Sequence, residues 1–439
     1  MPRPKKTTPR ATQPRQPVIG LEAEFSLFVR DELHKPEHIF RKPEAVVRQP
    51  TLPRSGRARH LPSGGALYFD TGVIEVATPI IEIEAGCCIR AGRSLWEQIA
   101  FLRGELDAWE QRENSHLRLQ GFSAHYNVSV PTERGLDEQG VRQLALLLTY
   151  ILPAPVMLLA ANRLSTGVGV RPRGDRLEVT VDFTPDPDLL IAAVSLAIGV
   201  ILGVLRWPSH SLDELERRKI PVIAGFKPRK HTSRKGWLAR ADCFPRNPFA
   251  ADPNAADWLT RDGRTLSLRQ MARTIARPFR KDIRAVSDAD AFEHVFAVFD
   301  ERARSLLDFS ERPPRYDDVG RTIDWNRRST RVLPRSAYER VIHRILEHRP
   351  LRIGNATYRP ERMQGWYEIV FRNTGPGCVR SSTSTTSSGT ASSRAGVPAT
   401  RKWGRRPACH ECGSRPGCPV RCRRDARTTT DRRGRLPHF

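Results

Sequence analysis

Glu22 and Glu24, in the segment GLEAEFSLF (residues 20–28), are two carboxylates on one side of a strand with no basic residue between them to neutralise either. Alternate side chains of a strand share a face. Leu21, Ala23, Phe25, Leu27 and Val29 therefore form an apolar side opposite Glu22, Glu24 and Ser26. Two further segments divide in the same way. In GFSAHYNVSV (121–130), Phe122, Ala124, Tyr126, Val128 and Val130 oppose Ser123, His125, Asn127 and Ser129. In DRLEVTVDF (175–183), Leu177, Val179, Val181 and Phe183 oppose Arg176, Glu178, Thr180 and Asp182. The outer face of a half-exposed antiparallel sheet is also polar, but an ordinary surface mixture is rich in Lys. These faces instead gather Glu, His, Asn and Asp, which repel as neighbours unless cations lie among them. Carboxylate-rich sites that retain water and bind substrate phosphates are how Mg²⁺ is held, so the three polar faces predict a metal site. Placed on a solvated face, Glu22→Gln, Glu24→Gln and Glu178→Gln are each expected to weaken metal binding with a folding cost within about 0.5 kcal/mol.

The segment NRLSTGVGVRPRGDR (162–176) adds Gly167, Gly169, Arg171, Arg173 and Arg176 just before the third strand. It reads either as a flexible basic loop for nucleotide or substrate, or as an ordinary turn with solvated arginines. It has neither the residues nor the strand-to-helix setting of a P-loop. His60 and His116 read as ordinary polar residues.

Taken in order, four segments resemble one family. GLEAEFSLF is similar to the Gly-x-Glu-x-Glu-Phe signature of carboxylate-amine ligases with the glutamine synthetase fold. GGALYFDTGVIEVATP (64–79) resembles the part of the Pup ligase and depupylase branch in which a catalytic Asp precedes a Glu-x-x-Thr/Ser-Pro strand. AHYNVSV occupies the place of the family's His-bearing strand, and RLEVTVDF is similar to its Arg-x-Glu strand. The resemblance spans about residues 18–206 and extends to type 2 glutamate-cysteine ligases. It implies that Glu22, Glu24, Glu75, His125 and Glu178 supply metal ligands, that Arg176 contacts phosphate, and that Asp70 is the base or nucleophile nearest the reacting carbonyl. Asn127 stands where some members have a second His, and Thr180 where several have Arg. Glutamine synthetase itself is disfavoured, because the signature begins at Gly20 and leaves no room for that enzyme's N-terminal domain.

A carboxylate does not react with an amine at neutral pH, because its leaving group would be oxide. Phosphorylation by ATP makes an acyl phosphate, with metal ions and Arg offsetting the charge on the transferring group. ATP and Mg²⁺ are thus the expected cofactors, with Arg171, Arg173 and Arg176 as the nucleotide-binding cations. The expected partners are a small-molecule or protein carboxylate and an amine, with a small protein modifier among the options. The same site suits nucleotide-dependent hydrolysis of an amide or isopeptide, and a non-catalytic binding protein on a degenerate ligase fold is the third reading.

The elements that must position these residues are legible from periodicity. GGALYFD and VIEVATP read as strands joined at Thr71-Gly72. Leu95, Ile99, Leu102, Leu106 and Trp109 recur at helical spacing within 84–113. Further helices are predicted over 137–161, 186–206, 265–277, 288–307 and 336–347, and 31–63 reads as a long loop. The fold class is α+β, a largely antiparallel curved sheet backed by helices, as in a glutamine synthetase-like catalytic domain. That domain is expected over 17–309, a small C-terminal unit over 310–376, a disordered basic lead over 1–16, and a disordered tail over 377–439.

Charge distribution narrows the function classes. The 439-residue chain is 39% hydrophobic and 28% charged, with net charge +25. Setting aside +11 in the tail and +5 in the lead leaves +9 for residues 17–376. That moderate excess suits acidic or phosphate-bearing substrates better than a dedicated duplex-binding surface. The lead lacks the apolar stretch of a secretory signal, so a cytoplasmic protein is expected. LLIAAVSLAIGVILGVL (189–205) and the proline-containing LALLLTYILPAPVMLLAA (144–161) read as buried core helices rather than membrane spans. In the tail, Cys409, Cys412, Cys418, Cys422 and His410 match zinc in ligand type. Their spacing and the absence of apolar residues around them favour a tail without a core, or an out-of-frame extension of the reading frame. With only Cys87, Cys88 and Cys243 in the body, no disulfide framework is implied.

Overall fold

The computed structural model describes residues 16–54, 58–130, 136–174, 176–231, 235–312, 316–321, 335–353, 355–366, 368–374 and 381–385. The lead through residue 15 and the tail from residue 386, with its Cys and His cluster, lie outside the described residues.

In chain order the strands are β1 (Val18–Val29), β2 (Glu32–His34), β3 (Leu52–Pro53), β4 (Arg59–His60), β5 (Ala66–Asp70), β6 (Val73–Ala77), β7 (Ile81–Glu82), β8 (Leu117–Ser129), β9 (Val168–Arg173), β10 (Arg176–Asp182), β11 (Arg229–Lys230) and β12 (Trp237–Ala239). These twelve form one antiparallel sheet in the order β11-β12-β9-β10-β8-β1-β6-β5-β4-β3, with β2 and β7 also paired to β1. A hairpin of β13 (Trp258–Leu259) and β14 (Thr265–Leu266) stands apart. A second antiparallel sheet runs β15 (Leu351–Ile353), β16 (Ala356–Gln364), β17 (Glu368–Asn373) and β18 (Ser381–Thr385). The helices that the site depends on are α1 (Pro36–Phe40), α2 (Cys87–Glu113), α3 (Glu138–Ile151), α4 (Pro153–Ala160), α5 (Pro187–Leu205), α6 (Asp213–Arg217), α7 (Leu268–Ala276), α8 (Arg280–Val286), α9 (Ala289–Phe299) and α10 (Ala337–Leu346).

The main sheet is thus a large antiparallel sheet backed by helices on its apolar face. Leu21, Ala23, Phe25 and Leu27 of β1, Ala124, Tyr126 and Val128 of β8, and Leu177 and Val179 of β10 are all buried against them. α5 is long and apolar enough to cross a membrane by composition, yet 89% of its apolar window is buried inside the protein, where it packs on α4, α8 and α9. Gly199 and Gly203 allow that approach: a Cβ at Gly199 would meet the Ile283 backbone at 2.6 Å, and one at Gly203 the Phe279 ring at 2.4 Å. A smaller core joins Val18, Leu52 and Ile80 to Ile342, Met363, Ile369 and Phe371, attaching α10 and the second sheet beside β1 and β3.

Several local expectations are corrected. The predicted helix 137–161 bends by 64° between α3 and α4, where Pro153 starts a new helix and clashes with continuation of the old one. The stretch 31–63 is not a structureless loop: it carries β2, α1, β3 and β4 and buries Phe40, Val46, Val47, Leu52 and Leu61. The segment around Gly169 and Arg171 is strand β9, whose Val168, Val170 and Pro172 are buried while Arg171 and Arg173 take the other face. Phe122 is not on the apolar face. The β1–β8 register shifts between Glu24 and Phe25, and Phe122, left over opposite that step, is 51% exposed. A bulge adds one residue and so reverses parity beyond it.

Candidate active site

The register of six strands assembles the polar residues. Glu22 of β1 faces His125 of β8 on one side and Ala77 of β6 on the other, while Glu24 faces Ser123 and Glu75. Across the β8–β10 pair, Thr180 faces His125 and Glu178 faces Asn127, and Glu178 in turn faces Arg171 of β9. Tyr68 of β5 pairs with Glu75. The central polar side of this sheet is therefore one continuous constellation, and it is buried: Glu24, Glu75, His125, Asn127 and Glu178 are all nearly inaccessible, with Glu22 half-buried.

Side-chain bonds knit the constellation together. His125 Nδ1 lies 3.2 Å from Glu22 Oε2, which also accepts from Asn127 Nδ2 at 3.1 Å. Asn127 Oδ1 accepts from Arg176 Nε at 2.8 Å, so Asn127 links Glu22 to an exposed arginine. Ser123 Oγ donates to Glu24 Oε2. Glu178 accepts from Arg171 Nε and, at 2.9 Å, from Arg173 Nε. The Tyr68 hydroxyl is 2.8 Å from Glu75 Oε1 and 3.1 Å from Glu22 Oε1. A phenol has one proton to donate, so both contacts hold together only when one carboxyl carries a proton.

The electrostatics indicate which carboxyl that is. Burial, reinforced by the negative charge of Glu22, pushes Glu75 up to about 9. Burial would also raise Glu22, but its hydrogen bond with His125, that ring's charge and Arg176 hold it down at about 2. Burial disfavours a charged His125, yet the bond to Glu22 and the charges of Glu178 and Glu24 raise the ring to about 9. The three shifts thus diverge in direction, favouring the carboxylate of Glu22, the imidazolium of His125 and the neutral acid of Glu75. Tyr68, buried beside two acids, is pushed well above the ordinary phenol range.

Two overlapping donor sets emerge, Glu22/His125/Glu178 and Glu24/Glu75/His125, each with one donor atom per residue within 4.8 Å of the others. Carboxylate oxygens with a single imidazole suit a hard divalent cation such as Mg²⁺ or Mn²⁺ rather than a thiophilic metal.

No protein-family model and no curated protein matches the chain. Among solved structures, it is similar to the crystal structure of the complex between prokaryotic ubiquitin-like protein Pup and its ligase PafA. The identity is 13% and the TM-score 0.39, with 67% of this chain covered. The chain spans 64% of the length of that matched chain.

Asp70 ends β5 on the same face as Tyr68, is exposed, and accepts from the Thr71 hydroxyl at 2.8 Å. Thr71 (φ 47°) and Gly72 (φ 94°) make the tight turn that leaves it there. Asp182 does not join the cluster. It accepts from the backbone and side chain of Asn162 and from Ser165 Oγ, fastening the segment after α4, and burial raises it to about 6. Arg171 and Arg173 both hold Glu178, which leaves Arg176 as the arginine bonded through Asn127 instead. Sequence reasoning missed Tyr68, although it sits two residues before Asp70 and so shares that residue's face. His231, next to the edge strand β11, was also missed; burial and then Arg171 lower its ring.

Proposed function

We propose that this protein is an ATP- and Mg²⁺-dependent carboxylate-amine ligase, forming an amide or isopeptide bond by way of an acyl phosphate. The observation that carries the reading is the run of Glu22, Glu24, Glu75, His125 and Glu178 across four adjacent strands, all but the half-buried Glu22 nearly inaccessible, with three arginines at one end. Five such groups in one constellation, four of them buried, serve a multiply charged ligand better than they serve stability. The two donor sets are where divalent cations would be held, and such ions would supply charge neutralisation for phosphoryl transfer. Arg176, oriented by Asn127, contacts nucleotide phosphate. Arg171 and Arg173 fix the Glu178 carboxylate and complete the basic end. Asp70, exposed on the same face as Tyr68, takes the proton of the incoming amine. The motif resemblance makes a protein-borne carboxylate or amine, including a small protein modifier, the first substrate class to test.

The test is a screen of acid and amine pairs, peptides included, for Mg²⁺-dependent ADP release by the full chain. ADP release that requires both acid and amine is the expected result. Amide cleavage without net ATP consumption would instead assign a hydrolase, and failure to bind Mg²⁺-nucleotide by calorimetry would overturn both.

A further inference from the structure

At the opposite end of the constellation from Arg171, Arg173 and Arg176 lies another guanidinium. Arg54 follows β3, and its backbone forms a parallel bridge to Met363 of β16 in the second sheet. Its Cζ sits 4.6 Å from the centroid of the Trp366 ring and 6.0 Å from that of Tyr68, the residue whose hydroxyl reaches Glu22 and Glu75. His60 packs T-shaped against Trp366, with ring centroids 4.8 Å apart. Arg54 is half-buried, and among the described residues no carboxylate lies within ion-pair distance of it.

We propose that Arg54 is a substrate-binding residue that receives a carboxylate of the acid substrate at the Tyr68 end of the site. A guanidinium laid on an aromatic ring keeps its N–H edge available in the ring's plane, and that edge matches a carboxylate in bidentate fashion. A single arginine balances a monoanion, whereas the three-arginine end suits phosphate. The carboxylate of Glu22, just behind Tyr68, disfavours a multiply charged phosphate group at this position, whereas a dicarboxylate probe presents one singly charged carboxylate to it. The inference rests on the ligase reading for the identity of the acid, but the anion site itself is tested without turnover.

Arginine labelling of the full chain by phenylglyoxal, read by peptide mass spectrometry, separates the two ends. Succinate, inorganic phosphate and Mg²⁺-ADP serve as protecting probes. Arg54 should label in the free protein, and succinate should slow that labelling severalfold while leaving Arg176 unchanged. Mg²⁺-ADP should protect Arg176 and not Arg54. Arg54→Met, which keeps an apolar stem against Trp366, should weaken the succinate-dependent change in tryptophan fluorescence by roughly 10- to 100-fold, the worth of a hydrogen bond to a charged group. The proposal is overturned if Arg54 is unreactive in the free protein, if phosphate or Mg²⁺-ADP protects it better than succinate, or if nothing protects it. If succinate protects Arg54 while Mg²⁺-ADP leaves Arg176 exposed to reagent, the carboxylate site stands and the nucleotide reading falls.

Discussion

Glu24 and Glu75 are direct register partners across β1 and β6, two buried carboxylates placed opposite each other. Like charges so placed destabilise an antiparallel pair, and burial, then the negative charge of Glu22 and more weakly that of Glu24, push Glu75 up to about 9, which favours its neutral acid. Glu75→Gln imitates that protonated state and keeps a partner for Tyr68. In EDTA at pH 7, urea denaturation should show the variant at least as stable as the parent, by on the order of 1 kcal/mol. The same variant should lose most of the thermal stabilisation that Mg²⁺ or Mn²⁺ gives the parent. A variant clearly less stable in EDTA would show that an ionised Glu75 carries structural weight.

Glu178 behaves in the opposite sense. It is 1% exposed and holds Arg171 and Arg173, so the small cost expected for a solvated face does not apply. Glu178→Gln leaves two guanidiniums facing a neutral amide. Removing one partner of a fully buried pair costs about 3–5 kcal/mol, and the 43% exposure of Arg173 brings the expected loss to roughly 1–3 kcal/mol. Arg173→Ala should cost much less. Equal melting temperatures for the parent and Glu178→Gln would refute this account.

These two residues show what was legible in the sequence. Period-two alternation placed Glu22, Glu24, His125, Asn127 and Glu178 on one side of their strands, helical spacing marked α2, and an unbroken apolar run marked α5, because these patterns are local. Alternation cannot tell a solvated polar face from a buried one, since that depends on which strands become neighbours; hence the cost at Glu178 was underrated. The bulge at Phe122 inverted a parity that nothing in GFSAHYNVSV announces. Asp182 shares the parity of Glu178 yet turns to Asn162, a partner twenty residues earlier in sequence. The Arg54–Trp366 contact joins residues more than three hundred positions apart, a separation at which no periodicity carries information.

Beside that contact, His60 gives the stability a pH dependence of defined sign. Burial and then the positive charge of Arg54 lower its ring from 6.5 to about 3. Above pH 6.5 the ring is neutral in both states, and its contribution is constant. As pH falls below 6.5 the unfolded chain takes up a proton that the folded chain refuses, so stability is lost progressively down towards pH 3, by about 2 kcal/mol at pH 5. Asp182 and Glu75, both raised, act in the other direction, so the difference between proteins is the quantity to measure. His60→Phe preserves an aromatic edge against Trp366. Denaturation at pH 7.5 and pH 5 should show the parent losing about 2 kcal/mol more than the variant; parallel losses would mean that His60 protonates without penalty.

Asp70 supplies the sharpest test of the chemistry, because its position separates a mechanistic role from a structural one. It is exposed at the end of β5, and its structural partner is the Thr71 hydroxyl, which donates to Oδ1. Asn offers an oxygen at the same place, so Asp70→Asn should melt with the parent. It also leaves Glu22, Glu24, Glu75, His125 and Glu178 untouched, so Mg²⁺-ATP affinity should be retained in calorimetry. What the amide cannot do is accept a proton from the amine at neutral pH. General-base contributions are typically about 10²- to 10⁴-fold, and amine-dependent product formation should fall within that range while nucleotide binding persists. Parental turnover by Asp70→Asn would reduce the residue to a turn partner of Thr71 and move the search for the base to His231, which lies within electrostatic reach of Glu178 and His125.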